Sequence, residues 1–243
     1  MKAPAMPSPS MKTIGILGGM SAASTQTYYR PLCDLTRHRL GGLHSPELLI
    51  RSIDFAPIAA LQASGDWDAA GDILNANAKA LQRGGADILL LATNTMHKLA
   101  APMMDGVTIP LLHIAEATAT RIAQAGLTRP GLMATAFTMQ EAFYTDKLHA
   151  AGLTPIIPDT DDRSTIHRII YAELCRDITT DDSRSAFESI AARLITQGAD
   201  CLILGCTEIG MLLSQANVAV PVFDTTLIHC ETALDLAQVL TNP

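Results

Sequence analysis

One internal repeat constrains this sequence more than any other feature. Residues 85–96 (GADILLLATNTM) and residues 198–209 (GADCLILGCTEI) align without a gap, and each copy joins Gly-Ala-Asp, an apolar run and a polar loop. The polar loops begin at Thr93 and Cys206, 113 positions apart (206 − 93). Recurrent strand–helix patterning occurs in any α/β protein. Here the loop residues match in position as well as the strands, which favours two similar halves.

The order of apolar and amphipathic segments indicates the fold class. Short apolar runs at 13–17, 48–53 and 88–91 alternate with helical patterns such as 67–83. This alternation predicts an α/β fold with parallel sheets. Together with the repeat, it predicts two similar lobes related by a pseudo-twofold axis. Each lobe is a parallel sheet flanked by helices, and the active site lies between the lobes.

The repeat also suggests how the chain is divided. The first ten residues (MKAPAMPSPS) hold three prolines and two serines, which is typical of a disordered tail, and translation could start at Met1 or at Met11. The predicted units are a tail at 1–10, lobe one at 11–116 plus 225–243, and lobe two at 117–224.

Composition excludes several classes of partner. The 243 residues carry a net charge of −7, so neither nucleic acid nor an anionic membrane surface is an expected partner. No apolar run reaches the roughly 18 residues that a membrane span needs. The five cysteines show no metal-ligand spacing, which predicts a reduced, cytoplasmic protein without a metal site. Charged residues make up only 17% of the chain, which leaves room for surface buried in a homodimer.

The two repeated loops suggest chemistry between the lobes. Ligands of open α/β sheets bind beyond the carboxyl ends of the strands, so Thr93 and Cys206 are expected on opposite walls of one cleft. Free backbone N–H groups there suit a carboxylate ligand, and we expect them to lower the pKa of the Cys206 thiol. Proton-handling groups on opposite faces of a small amino acid are what a racemase requires.

Four segments resemble the aspartate/glutamate racemase family. They are 13–21 (TIGILGGMS), 93–97 (TNTMH), 168–173 (RIIYAE) and 205–209 (GCTEI), and the resemblance runs from about residue 12 to residue 235. It implies racemisation without pyridoxal phosphate or any other cofactor, a small amino-acid substrate in a cleft between two lobes, and often a homodimer.

One residue departs from the family pattern. Thr93 stands where the family has the first of two cysteines, and Cys206 keeps the second position. A threonine hydroxyl is a much weaker acid than a thiol, so Thr93 would be a poor base. The site would then favour one enantiomer kinetically. The sequence resembles a Thr/Cys branch of the family that is L-selective towards aspartate and glutamate.

The resemblance also implies roles for other residues. Arg176 is the first candidate for the cation that binds a side-chain carboxylate. The proposed catalytic pair is Thr93 and Cys206. The proposed substrate-binding residues are Met20, Ser21, Gln62, Asn94, Thr95, Thr138, Arg176, Thr207 and Glu208. The remaining cysteines, Cys33, Cys175, Cys201 and Cys230, are interpreted as small core residues.

Two alternatives remain open. One is a non-catalytic binding protein for an acidic amino acid. Thr93 in place of a cysteine would then indicate that turnover has been lost. The other is a member of the same superfamily with another substrate, such as a hydantoin racemase or a maleate isomerase. A hydrolase is disfavoured because the sequence has no GxSxG motif.

Overall fold

The strands form two separate parallel sheets. The structure, a computed structural model, describes residues 11–238, so the predicted tail at 1–10 lies outside the described residues. The first sheet has the order β2-β1-β3-β4 and the second has the order β5-β6-β7. The strands are β1 (Ile14–Gly18), β2 (Leu48–Ser52), β3 (Ile88–Leu91), β4 (Leu111–Leu112), β5 (Pro130–Ala134), β6 (Cys201–Gly205) and β7 (Val222–Asp224).

Helices cover both sheets. They are α1 (Ala22–Leu40), α2 (Phe55–Ser64), α3 (Trp67–Arg83), α4 (Ala100–Met103), α5 (Ile114–Gln124), α6 (Ala136–Gln140), α7 (Ala142–Ala150), α8 (Thr160–Ala172), α9 (Asp181–Thr196) and α10 (Thr225–Ala237). Short 3₁₀ turns occupy Thr95–Leu99, Leu174–Arg176, Ile209–Met211 and Gln215–Asn217. None of the helices within residues 11–238 is both long and apolar enough to cross a membrane. The predicted α/β fold with two lobes of parallel strands is confirmed.

The Gly-Ala-Asp repeat plays the same structural part in both lobes. Gly85 and Gly198 both have positive φ, at 99° and 96°, a conformation that glycine adopts without steric cost. Asp87 accepts a hydrogen bond from the backbone N–H of Thr13 just before β1. Asp200 likewise accepts backbone N–H groups just before β5, and the contact from Thr128 is 2.8 Å. The repeat therefore encodes the start of β3 and β6 against their neighbouring strands.

Close packing between strands explains a second repeated pair. A Cβ on Gly15 in β1 would lie 2.7 Å from the Cβ of Ala86, and one on Gly131 in β5 would lie 3.3 Å from the Cβ of Ala199. The alanine of each repeat copy thus packs where a neighbouring strand carries glycine. The two lobes share this contact because they share the sequence that makes it.

The hydrophobic core shows where each helix belongs. The first sheet buries side chains on both faces, and α10 packs against one of these faces through residues such as Cys230 and Leu234. In α5, Ile114, Ala115, Ala119 and Ile122 instead join the core of the second sheet. The predicted boundary after residue 116 falls inside α5, so we propose that lobe two begins at the start of that helix.

Candidate active site

The two repeated loops meet at a small cavity between the lobes. Thr93 follows β3, Cys206 follows β6, and both line this cavity of about 20 Å³, which has room for roughly one water molecule. The lining residues are Met20, Phe55, Gln62, Thr93, Asn94, Thr95, Thr135, Ile170, Tyr171, Cys175, Gly205, Cys206, Thr207 and Glu208. The juxtaposition expected from the repeat is therefore present in the structure. Because the cavity is smaller than an amino acid, a substrate must move some of these side chains apart.

A single buried carboxylate organises one wall of the cavity. Glu208 is 2% exposed, and its Oε1 accepts hydrogen bonds from Ser21 Oγ at 2.7 Å and Cys175 Sγ at 3.6 Å. Its Oε2 accepts from Cys206 Sγ at 3.1 Å and from the hydroxyl of Thr207. Four donors thus compensate the buried charge, and the Ser21 contact ties α1 of lobe one to lobe two.

This environment raises the pKa of Cys206 instead of lowering it. Burial raises the pKa of the thiol, and the negative charge of Glu208 and the neighbouring Cys175 raise it further. The expectation of a lowered thiol pKa was wrong, because burial and a carboxylate outweigh the nearby backbone N–H groups. Cys206 therefore rests as a thiol, with its proton directed at Glu208.

Two histidine contacts fix the backbone of the Thr93 loop. The carbonyl of Thr93 accepts a hydrogen bond from His97 Nδ1 at 2.8 Å, and His97 Nε2 accepts the backbone N–H of Ile114 at 3.2 Å. These partners require a neutral ring that is protonated on Nδ1. Burial lowers the pKa of His97, followed by the nearby His113 and His229. His97 is thus a support for the loop, while Thr93 itself lines the cavity.

Asn94 offers an unused acceptor in the same loop. Its Nδ2 donates to Thr225 Oγ1 at 3.1 Å, and Thr225 Oγ1 in turn donates to the carbonyl of Leu204. Its Oδ1 is buried and has no hydrogen-bond partner among the described residues. A buried acceptor beside a cavity is costly unless a ligand supplies a donor, and a substrate ammonium group would do so.

Three threonines join the lobes on the other side of the cavity. Thr95 Oγ1 lies 2.8 Å from Thr135 Oγ1 and 3.4 Å from Thr138 Oγ1. Thr135 caps α6 and lines the cavity, whereas Thr138 is fully buried and does not line it. Thr135 was missed from the sequence. It follows directly after β5, the position that identifies Thr93 and Cys206 after their strands.

A glutamine and a tyrosine meet across the cleft. Tyr171 on α8 donates to Gln62 Oε1 on α2 at 3.0 Å, and Gln62 Nε2 contacts Met96 Sδ at 3.0 Å. Phe55 stacks on the Tyr171 ring, with centroids 6.4 Å apart. Gln62 was expected at the site. Phe55 and Tyr171 were missed, because no local pattern distinguishes them from ordinary core aromatics.

Arg176 and its neighbour Cys175 lie on the 3₁₀ turn after α8. Arg176 is exposed on its 3₁₀ turn and does not line the cavity. Its neighbour Cys175, interpreted as a core residue, does line the cavity and contacts Glu208. Arg176 as the cation for a substrate carboxylate stays a prediction. Within residues 11–238, no three His, Cys, Asp or Glu side chains are arranged to hold a metal ion.

Comparisons with known proteins agree with this geometry. The family model described as Asp/Glu/Hydantoin racemase matches residues 17–233. A Yersinia pestis crystal structure assigned as an Asp/Glu racemase is 44% identical, has a TM-score of 0.86, and covers 93% of this chain and 99% of that one. An aspartate racemase homologue from Pyrococcus horikoshii is 32% identical with a TM-score of 0.80 and the same coverage. The broad specificity amino-acid racemase RacX of Bacillus subtilis is 24% identical over 88% of this chain and 92% of its own length.

Proposed function

The chain belongs to the Asp/Glu/hydantoin racemase family, and from this premise we propose that it racemises aspartate or glutamate by proton transfer on two faces of the α-carbon. It is a racemase of the kind that works without pyridoxal phosphate. The observation that carries the proposal is one cavity with Cys206 and its carboxylate partner Glu208 on one wall and Thr93 among the other lining residues.

The Cys206 wall supplies the base. Glu208 takes the thiol proton of Cys206, and the resulting thiolate removes the α-proton of the bound enantiomer that faces it. Negative charge then develops on the α-carboxylate of the substrate, where donors of the 93–95 and 206–208 loops can stabilise it. The free Oδ1 of Asn94 receives the substrate ammonium group and so fixes the orientation of the α-carbon.

The Thr93 wall supplies only an acid. Its hydroxyl donates a proton to the opposite face of the carbanion and is reprotonated by solvent. In the reverse direction Thr93 would have to act as a base, for which its hydroxyl is poorly suited. We therefore propose that the α-proton of the L-enantiomer, in the orientation facing Cys206, exchanges with solvent faster than that of the D-enantiomer, while kcat/KM for inversion is equal in the two directions. The equilibrium between the enantiomers is unaffected, because only rates and binding differ.

The first test is α-proton exchange in D₂O. L-Asp, D-Asp, L-Glu and D-Glu are incubated separately, and NMR of the α-proton is compared with chiral analysis. We expect exchange of the L-enantiomers to outpace their inversion, because Cys206 returns a deuteron more readily than Thr93 delivers one. Cys206→Ser should lower the exchange rate by at least about 10³-fold, since the thiolate that removes the α-proton is gone. Thr93→Cys should bring exchange and inversion closer together.

A control and a contrary result complete the test. Cys33→Ser changes a half-buried cysteine on α1 away from the cavity and should exchange like the wild type. Tight binding of an acidic amino acid without any exchange would instead support the second candidate function, a non-catalytic binding protein. The free acceptor of Asn94 would serve such a protein equally well.

We also propose a cytoplasmic homodimer. The cysteines of the chain are all free, which suits a reducing compartment. The low charged fraction of 17% and exposed apolar side chains such as Leu43 and Tyr29 suit a surface shared between subunits.

A further inference from the structure

Besides the two repeated loops, uncharged side chains of α2 and α8 line the cavity. Phe55 and Gln62 come from lobe one, and Ile170 and Tyr171 come from lobe two. Gln62 and Tyr171 are joined by the 3.0 Å hydrogen bond that spans the cleft. No Lys, Arg or His is among the lining residues, all of which belong to the described part of the chain.

The nearby cations are occupied elsewhere or face solvent. Lys98 pairs with Glu141 at 2.6 Å and lies 3.8 Å from the centroid of the Trp67 ring. Arg168 on α8 has a side chain that is 64% exposed, and it lies 3.7 Å from Glu173. Arg176 is exposed.

The carboxylate of Glu208, which lines the cavity, is already fully engaged. Glu208 is buried and already has four donors, so a carboxylate on the substrate side chain would find no cationic side chain in the lining. Without a cation in the wall, a side-chain carboxylate gains no ion pair over a neutral amide of the same size.

Gln62 and Tyr171 suit the recognition of neutral polar side chains. Resting on the proposed racemase function, we propose that the enzyme accepts asparagine and glutamine alongside aspartate and glutamate. Gln62 and Tyr171 separate when substrate enters, and each then offers both a donor and an acceptor. Such a pair binds a carboxylate through its donors and an amide through donors and acceptors together.

The expected signature is weak discrimination between acid and amide. Neutral hydrogen bonds are worth up to about tenfold each in affinity, whereas a buried cation facing a carboxylate favours the acid by about 100-fold or more. We expect kcat/KM for L-Asp and L-Asn, and for L-Glu and L-Gln, to agree within about tenfold at pH 7.

The test measures α-proton exchange with these four L-amino acids in the wild type and in three variants. Gln62→Arg introduces a cation at the position that contacts Tyr171. It should raise the ratio of kcat/KM for the acid to kcat/KM for the amide by at least about tenfold. Arg176→Gln and Arg168→Gln each remove an exposed arginine and should leave that ratio unchanged.

The outcomes distinguish a failure of this inference from a failure of the proposed racemase function. Exchange of the acids with amides slower by 100-fold or more would overturn the inference and leave the racemase proposal intact. A tenfold fall of the acid-to-amide ratio in Arg176→Gln alone would also overturn it, by showing that Arg176 reaches the substrate. No exchange with any of the four amino acids would sink both proposals.

Discussion

At the residue scale, burial and the carboxylate of Glu208 together raise the pKa of Cys206. Glu208→Gln keeps the shape of the side chain but removes the negative charge that raises the pKa of Cys206. We expect two opposite effects. The thiol should react with iodoacetamide at lower pH than in the wild type, and turnover should fall by about 10²–10⁴-fold because its proton acceptor is lost.

Alkylation of Cys206, followed by peptide mass spectrometry across a pH series, measures the first effect, and α-proton exchange measures the second. Ser21→Ala is the matched comparison, since it removes a donor to Glu208 but leaves the charge in place. It should alter the alkylation profile less than Glu208→Gln. A Glu208→Gln variant with wild-type turnover would show that another group accepts the thiol proton.

The residues that sequence reasoning found and missed differ in how they reach the cavity. Thr93, Asn94, Cys206 and Glu208 lie in loops that follow strands, and the repeat pairs these loops directly. Cys175 is brought there by a 3₁₀ turn after α8, a placement set by packing of one lobe on the other. The pKa of Cys206 was misjudged for the same reason, since it depends on burial.

At the element scale, the turn after β1 positions Met20 and Ser21 through a glycine. A Cβ on Gly19 would lie 2.0 Å from the carbonyl oxygen of Ile53, and its φ is 92°. Gly19→Ala should therefore lower the free energy of unfolding by more than about 3 kcal/mol, because both backbone and contact are incompatible. Urea denaturation followed by circular dichroism measures this loss.

Gly65→Ala separates the clash from the backbone conformation. Gly65 ends α2 with a φ of 76° and has no atom within 4 Å of an added Cβ. Gly65→Ala should lower the free energy of unfolding by only about 1–2 kcal/mol, the penalty of a left-handed backbone. Equal losses in the two variants would mean that the turn shifts to accommodate the methyl group.

Elements were more predictable than their ends because hydrophobic patterning specifies which segments are buried. β3 was anticipated at its observed bounds of 88–91, since a parallel strand covered on both faces is continuously apolar. The lobe boundary after 116 stays a prediction, because the repeat locates equivalent loops but not the partner against which a connecting helix such as α5 packs.

At the scale of the whole molecule, three buried histidines lie where the chain passes between the lobes. His113 caps α5 just after β4, and the ring centroid of His97 lies 4.5 Å from that of His113 and 6.1 Å from that of His229. His229 on α10 bonds the carbonyl of Leu112 at 2.9 Å and the hydroxyl of Tyr28 at 2.9 Å. These contacts join α1, β4, α5 and α10, so the cluster connects both lobes.

This cluster predicts acid sensitivity of the fold. Burial lowers the pKa of His113 and His229 to about 4 and also lowers that of His97. The unfolded chain takes up these protons near pH 6.5, so the free energy of unfolding is highest above that pH and falls as the pH drops towards 4. Between pH 7 and pH 5 the expected loss is roughly 1–2 kcal/mol for each histidine. Urea midpoints at pH 7, 6 and 5 measure this loss of stability.

His113→Asn keeps a capping side chain and removes one titrating ring, so the variant should lose less free energy of unfolding between pH 7 and pH 5 than the wild type. A free energy of unfolding that stays constant from pH 7 to pH 5 would contradict the role given to the cluster.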